Sequence, residues 1–200
     1  DDEIVNLMDF NCDQKNDVHF FYTLPFSKHK ALVETTWLSD LENQNLMNYD
    51  LQLENYIKNN LGIKNYKINF VEKGAIPLFY PSFHNDEKNI NIGSAGRMTR
   101  LSTGYTFLNI QEHSKYIVKN IDQIKKLREY NLGRKYYFLD KIFLRVLKNH
   151  PDKMPKIFFE MFKASSDNII KFLSNKSNVF EDIKIISRMP KLIFMKALFH

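Results

Sequence analysis

One cysteine, Cys12, stands among 200 residues. No internal disulfide and no cysteine-rich metal site can form, and the composition fits a reducing compartment. Six glycines and six prolines exclude collagen-like and low-complexity chains. The G-x-G-x-x-G turn is absent, so no dinucleotide-binding unit is complete here. The six histidines, His19, His29, His84, His113, His150 and His200, form no H-x-x-x-H pair, which argues against a metal site. No serine sits in a G-x-S-x-G context. Apolar runs are short: Ile157 to Phe162 is broken by Glu160 and Leu192 to Phe199 by Lys196, well under the roughly 18 to 20 residues of a membrane-spanning helix. The first residues, Asp1-Asp2-Glu3, are acidic where an export signal is basic. The missing initiator Met implies that the chain derives from something longer.

What is present is globular. The chain is 44% hydrophobic and 26% charged, with 17 Phe and 10 Tyr, too apolar and aromatic for a disordered tail. The net charge of +6 is uneven. From Arg134 to His200 there are 14 Lys/Arg against 6 Asp/Glu, which leaves 15 against 17 for everything before. A basic region of this kind serves nucleic acid, an anionic membrane surface, or solubility alone.

Val18 to Phe26 and Ala31 to Trp37 are rich in aromatic and β-branched residues and predict a hairpin around the four-residue link Ser27 to Lys30. Ser39-Asp40-Leu41-Glu42 has capping-box spacing, and Leu53, Tyr56, Ile57 and Leu61 follow at helical spacing until Gly62. Tyr66, Ile68 and Phe70 alternate with Lys67, Asn69 and Val71 as in a strand, and Gly74 and Pro77 then lead into a loop from Pro81 to Lys88. A short strand ending at Ile90 and Ile92 runs into a loop with Gly93, Gly96 and Gly104. Phe107, Ile110, Ile117, Ile121 and Ile124 then mark a helix toward Leu127. From Tyr136 onward the pattern is helical: Phe138, Ile142 and Leu147, then Ile157 to Phe162, Ile169 to Leu173, and Ile183 to Met189, punctuated by Pro151, Pro155 and Pro190.

Two places carry chemistry. The glycine loop, Ile92 to Tyr105, lets a ligand approach the backbone, and a helix start at Ser102 or Thr103 offers N–H groups to an anion; equally, its glycines serve the turn itself. Glu34 is an acid in an otherwise apolar and threonine-rich strand, on one face with Leu32 and Thr36 while Ala31, Val33, Thr35 and Trp37 take the other. Walled by apolar surface it would hold a proton near neutrality; on a wet face it is an ordinary surface glutamate.

Several segments taken in order bear a family likeness. Leu7-Met8-Asp9-Phe10, Phe21-Tyr22-Thr23-Leu24-Pro25-Phe26, Ala31-Leu32-Val33-Glu34-Thr35-Thr36, Gly74-Ala75-Ile76-Pro77, Ile92-Gly93-Ser94-Ala95-Gly96 and Ser102-Thr103-Gly104-Tyr105-Thr106-Phe107 resemble the motifs of lycopene cyclases. The resemblance is closest to the bacterial lycopene beta-cyclases. It extends through Phe138-Leu139-Asp140, Phe143 to Leu147 and Met189-Pro190, and so along almost the whole chain. It implies an α+β chain, a fragment of an α/β FAD-binding Rossmann-type flavoprotein amounting to roughly the second half of the family's length. Residues 1–88 would form a substrate-binding sheet region with one helix, 89–128 a strand, glycine loop and helix returning to the flavin domain, and 129–200 a C-terminal helical region. The strand at Ile90 to Ile92 would then lack its parallel partners.

The family closes the linear ends of lycopene into β-rings without net redox change, using reduced FAD with NAD(P)H as reductant. An acid, a base and a cation stabiliser suffice for that chemistry. The plant members' F-L-E-E-T motif falls on Leu32 to Thr36, which puts the catalytic glutamate on Glu34 and leaves Thr35 in place of the second. By resemblance, Gly93, Ser94, Ala95, Gly96, Ser102, Thr103, Gly104 and Tyr105 face the FAD. Arg97 stands where relatives usually have a second glycine, and Leu101 where they usually have proline. The expected partners are lycopene or a related linear carotene and an anionic membrane surface, with no nucleic acid and no metal. The expected location is cytoplasmic, peripheral at the inner face of the membrane. Two rivals stay open: a geranylgeranyl-reductase-like flavin oxidoreductase in which Glu34 is incidental, and a non-catalytic basic helical module binding an anionic surface or nucleic acid.

Overall fold

A computed structural model describes residues 2–40, 48–80, 90–126 and 130–199. The chain divides into two compact units. One holds Asp1–Lys73 with Pro151–Pro155, the other Gly74–His150 with Lys156–His200.

The first unit is built on a three-stranded antiparallel sheet in the order β1 (Asn6–Asp9), β2 (Val18–Ser27), β3 (Lys30–Leu38). The long aromatic and β-branched strands form the expected hairpin, but with a shorter tip. Ser27 pairs with Lys30, so Lys28 and His29 alone make the turn, and the Ser27 hydroxyl accepts from the His29 N–H at 3.3 Å. The polar character of residues 27–30 marks a turn without saying how far pairing continues into it. The register sets Tyr22 opposite Glu34, Phe21 opposite Thr35 and His19 opposite Trp37. Pairing of β1 with β2 shifts between Asn6 and Asp9, where Met8 takes φ +58°. Helix α1 (Tyr49–Asn55) continues as a π-helical turn, Tyr56–Asn60, and stops at Gly62 with φ +70°, a conformation that suits glycine. The capping-box reading at Ser39 to Glu42 reaches into residues outside those described. Tyr56 is buried and stacks on Phe21 with ring centroids 3.9 Å apart.

Two strand expectations are corrected. Tyr66 to Val71 forms neither strand nor helix, and Ile68, Phe70 and Val71 are exposed. Ile90 to Ile92 is irregular as well. Alternation marks which side chains would share a face, but a strand also needs a neighbouring backbone to bond to, and these segments pair with none of the described strands. The predicted loop at Pro81 to Lys88 falls outside the described residues.

The second unit is helical: α2 (Phe107–Lys119), a 3-10 turn at Ile121–Lys126, α3 (Arg134–Asn149), α4 (Met154–Phe162), whose first two residues are counted in the first unit, α5 (Ser166–Leu173), α6 (Val179–Ile186) and α7 (Lys191–Phe199). The prolines act as expected: Pro151 follows α3, Pro155 sits in the first turn of α4 and Pro190 precedes α7. Asn178 and Glu181 form a complete capping box at α6 with bonds of 3.0 and 2.9 Å. The buried stripes differ from those expected. On α3 the buried set is Tyr136, Asp140, Ile142, Phe143 and Val146, while Phe138 is exposed. On α2 it is Asn109 and His113, while Phe107 and, beyond the helix, Ile121 are exposed. Leu127 and the side chain of Ile124 lie outside what is described. Polar residues occupy positions that a purely hydrophobic count passes over, and they define the glycine-loop site.

Candidate functional site

Glu34 lies in the middle of β3, exposed, on the face shared with Thr36 and Tyr22, and it accepts a 2.9 Å hydrogen bond from the Thr36 hydroxyl. The neighbouring Tyr22 hydroxyl is pushed up to about 12, first by burial and then by the Glu34 charge, so it stays protonated as a donor near neutrality. Thr35, at the second motif position, points the other way into a neutral network. Its hydroxyl lies 2.8 Å from His19 Nε2 and 3.1 Å from Gln52 Oε1, and its single proton serves one of them at a time. Trp37 donates to the same Gln52 oxygen at 3.0 Å and stacks on His19 at 3.9 Å. His19 is only 3% exposed, its Nδ1 is 3.0 Å from the Asp13 carbonyl, and burial lowers its pKa below the ordinary 6.5.

A cavity of about 300 Å³ is lined on this side by His19, Phe21, Trp37, Gln52 and Tyr56. Tyr56 donates to Asp9 at 2.7 Å. Cys12 also borders the cavity, but burial and the Asp9 charge push its thiol up to about 12, which leaves little thiolate and little reactivity.

In the second unit the glycine loop is a hydrogen-bonded knot. Gly93 and Gly104 have φ of +62° and +73°, and Arg97 shares this left-handed conformation at +57°. Gly96 must be glycine, because a Cβ there would come within 2.5 Å of the Asn91 carbonyl oxygen. Its smallness serves the loop's own backbone. At Gly104 a Cβ would meet nothing within 4 Å, so the backbone there is open to an approaching group.

The hydroxyls divide the same way. Ser94 bonds Thr99 at 3.0 Å, and Ser102 is buried and donates to Asp140 at 2.7 Å. Thr106, the N-cap residue of α2, turns its hydroxyl to Thr99 and to the Gly104 carbonyl instead of capping the helix. Of the eight loop residues singled out in the sequence, Gly96 and Ser102 are therefore turned into the unit. Ala95 is exposed, and Gly93, Ser94, Thr103, Gly104 and Tyr105 are half-buried.

Beneath the loop lies a polar core. Arg100 and Asp140 are both fully buried and joined by bonds of 3.1 and 2.7 Å. Asp140 also accepts from the Leu101 N–H at 3.0 Å. Arg100 Nη1 donates to the Phe172 carbonyl and, at 3.2 Å, to Asn175, with its guanidinium 4.8 and 4.6 Å from the Tyr136 and Phe172 ring centroids. Asn175 also donates to Asn109 and Tyr130, and Asn109 to the Met98 carbonyl. The sequence signal for this core is an acid at position 140 inside the Tyr136, Phe143, Val146 stripe. A buried carboxylate has to be paired.

Arg97 turns toward Tyr80, its guanidinium 5.9 Å from the ring centroid. Glu34 and the glycine loop belong to different units. Among the described residues no three His, Cys, Asp or Glu side chains gather as metal ligands.

No curated protein and no solved structure matches the chain. The family model described as lycopene cyclase protein matches residues 1–198. That span contains the hairpin with Glu34, the glycine loop and the helices beneath it, and the chain belongs to the lycopene cyclase family.

Proposed function

We propose that this chain is the substrate-sheet and C-terminal part of a flavin-dependent lycopene beta-cyclase, an isomerase that closes linear carotene ends into β-rings. The family match over residues 1–198 carries this reading. The reaction needs a proton added to a terminal double bond, closure of the resulting cation onto the chain, and loss of a ring proton. Glu34 is the acid. Thr36 holds one of its oxygens at 2.9 Å, which orients the carboxyl group, and the protonated Tyr22 beside it supplies a neutral wall. Once it has given up its proton, the carboxylate would steady the nearby cation and take the ring proton.

The loop's fit to FAD is local. The open, left-handed Gly104 with its half-buried neighbours Thr103 and Tyr105 would hold the flavin, whereas Gly96 and Ser102 support the loop from within. Reduced flavin bound there would supply an electron-rich ring beside a developing positive charge, with NAD(P)H as its reductant. The pyrophosphate-holding G-x-G-x-x-G turn is not among these 200 residues.

The test is Glu34→Gln in the full-length protein, expressed in a lycopene-accumulating host. The change keeps size and polarity but removes the ionisable proton, so β-ring formation should fall on the order of 100-fold or more. Stability should move by only about 0.5 kcal/mol, as for an exposed residue. Near-normal cyclisation at normal flavin content removes Glu34 from the site. A product two mass units heavier per reacted bond, instead of an isomer, would favour the reductase.

A further inference from the structure

We propose that Arg100 and Asp140 are a positioning pair through which α3 and the end of α5 impose the shape of the glycine loop, making the C-terminal helical region part of the cofactor-binding machinery. The inference rests on the loop being ligand-facing, as read above. Asp140 comes from the middle of α3 and takes hold of three successive loop residues: the Arg100 guanidinium, the Leu101 N–H and the Ser102 hydroxyl. Only a carboxylate can do this, because all its partners are donors and it offers acceptors alone.

Arg100 returns the grip to α5 through the Phe172 carbonyl and Asn175. Four of its five N–H groups are thus assigned, and the side chain is 0% exposed. It is therefore no anion receptor, although an arginine beside a glycine loop invites that reading. The loop then closes on the Arg100 backbone. Its N–H bonds the Tyr105 carbonyl at 2.9 Å, and its carbonyl accepts from Thr103 and Gly104 at 3.3 and 2.8 Å. Arg100 to Ser102 is held from below, and Thr103 to Tyr105 is what the clamp presents.

Hydrogen exchange in the full-length protein, with neither cofactor nor substrate added, tests this independently of the cyclase reading. Arg100→Met combined with Asp140→Leu removes both charges together and keeps apolar volume, so no buried charge is left unpaired; the cost comes from the Leu101 N–H, the Ser102 hydroxyl and the Phe172 carbonyl, which lose their partners in this unit. The Leu101, Thr103 and Gly104 amides should exchange about tenfold faster, while the β2–β3 hairpin amides stay unchanged. Ser102→Ala, a milder change that removes one of the three holds, should speed the same amides about fivefold. Wild-type loop exchange in both variants overturns the proposal and leaves the pair as core filling. So does an equal rise in loop and hairpin amides, which would report global destabilisation. If the double variant does not fold, Ser102→Ala decides alone: local acceleration supports the clamp and unchanged exchange refutes it.

Discussion

At the scale of single residues, the two departures from the family pattern acquire physical reasons. Position 97 sits at φ +57°, where glycine costs nothing and other residues are strained; here Arg97 occupies it and lays its guanidinium over Tyr80. Position 101 donates its N–H to Asp140 and its side chain is buried. Proline has no N–H to give. Leu101→Pro should therefore cost about 1–3 kcal/mol, the penalty for leaving a buried carboxylate oxygen short of a donor; thermal unfolding measures it, and an unchanged or raised melting temperature refutes the assigned role of this bond.

His19 gives a pH prediction at the same scale. Burial, its largest influence, lowers its pKa below 6.5, so below about pH 6.5 the unfolded chain takes up a proton that the folded chain refuses. Stability should fall as pH drops through that value, and His113, lowered by the same cause, adds in the same direction. His19→Gln should flatten the dependence between about pH 7 and about pH 5 without abolishing it. Urea midpoints at the two pH values check this, and an unaltered slope excludes His19 as a source.

At the scale of elements, a sequence reports faces better than partners. The hairpin was legible because both of its strands lie in the sequence side by side, and the alternation that separated Glu34 from Thr35 and Trp37 holds in the structure. Tyr66 to Val71 has the same alternation but forms no strand, since a pattern along one segment says nothing of a neighbour to bond to. Helix ends were less legible than their signals allow: Asn178-x-x-Glu181 has the same spacing as Ser39 to Glu42 and caps α6, but it was not among the helix starts read from the sequence. Asn178 illustrates the energetics: it accepts from the Glu181 N–H while Glu181 returns a bond to its own N–H. Asn178→Ala should cost about 1 kcal/mol and lower the melting temperature by about 2–4 °C for a chain of this size. A loss of helicity with no change in the other helices' exchange would place the effect in α6. The polar core was legible only in part: Asp140 interrupts an apolar stripe, but its distant partners Arg100, Leu101 and Ser102 come together only through the fold.

At the scale of the whole molecule, the surplus of basic residues after Arg134 has a structural setting within the second unit. Helix α6 exposes Val179, Phe180, Ile183 and Ile186, and α7 exposes Leu192, Met195, Leu198 and Phe199, with Phe199 83% accessible. Phe194 is half-buried, 6.2 Å from Phe143. Lys184, Arg188, Lys191 and Lys196 are exposed on or between the same two helices. No described helix is long and apolar enough to cross a membrane. The attachment proposed for these two helices is peripheral, apolar side chains entering the interface while the cations meet anionic head groups. Each basic residue contributes about 1 kcal/mol at such a surface and is screened by salt, while the apolar contribution is not. Sedimentation with vesicles containing anionic lipid should therefore show binding that weakens at high salt but leaves a residue due to the exposed Phe and Leu side chains. Leu192→Ser with Phe199→Ser should remove that residue while keeping the salt-sensitive part. Binding that vanishes entirely with salt would assign the attraction to charge alone, as the rival basic-module reading expects, and equal, negligible binding to anionic and neutral vesicles would rule out a membrane surface as partner of these helices.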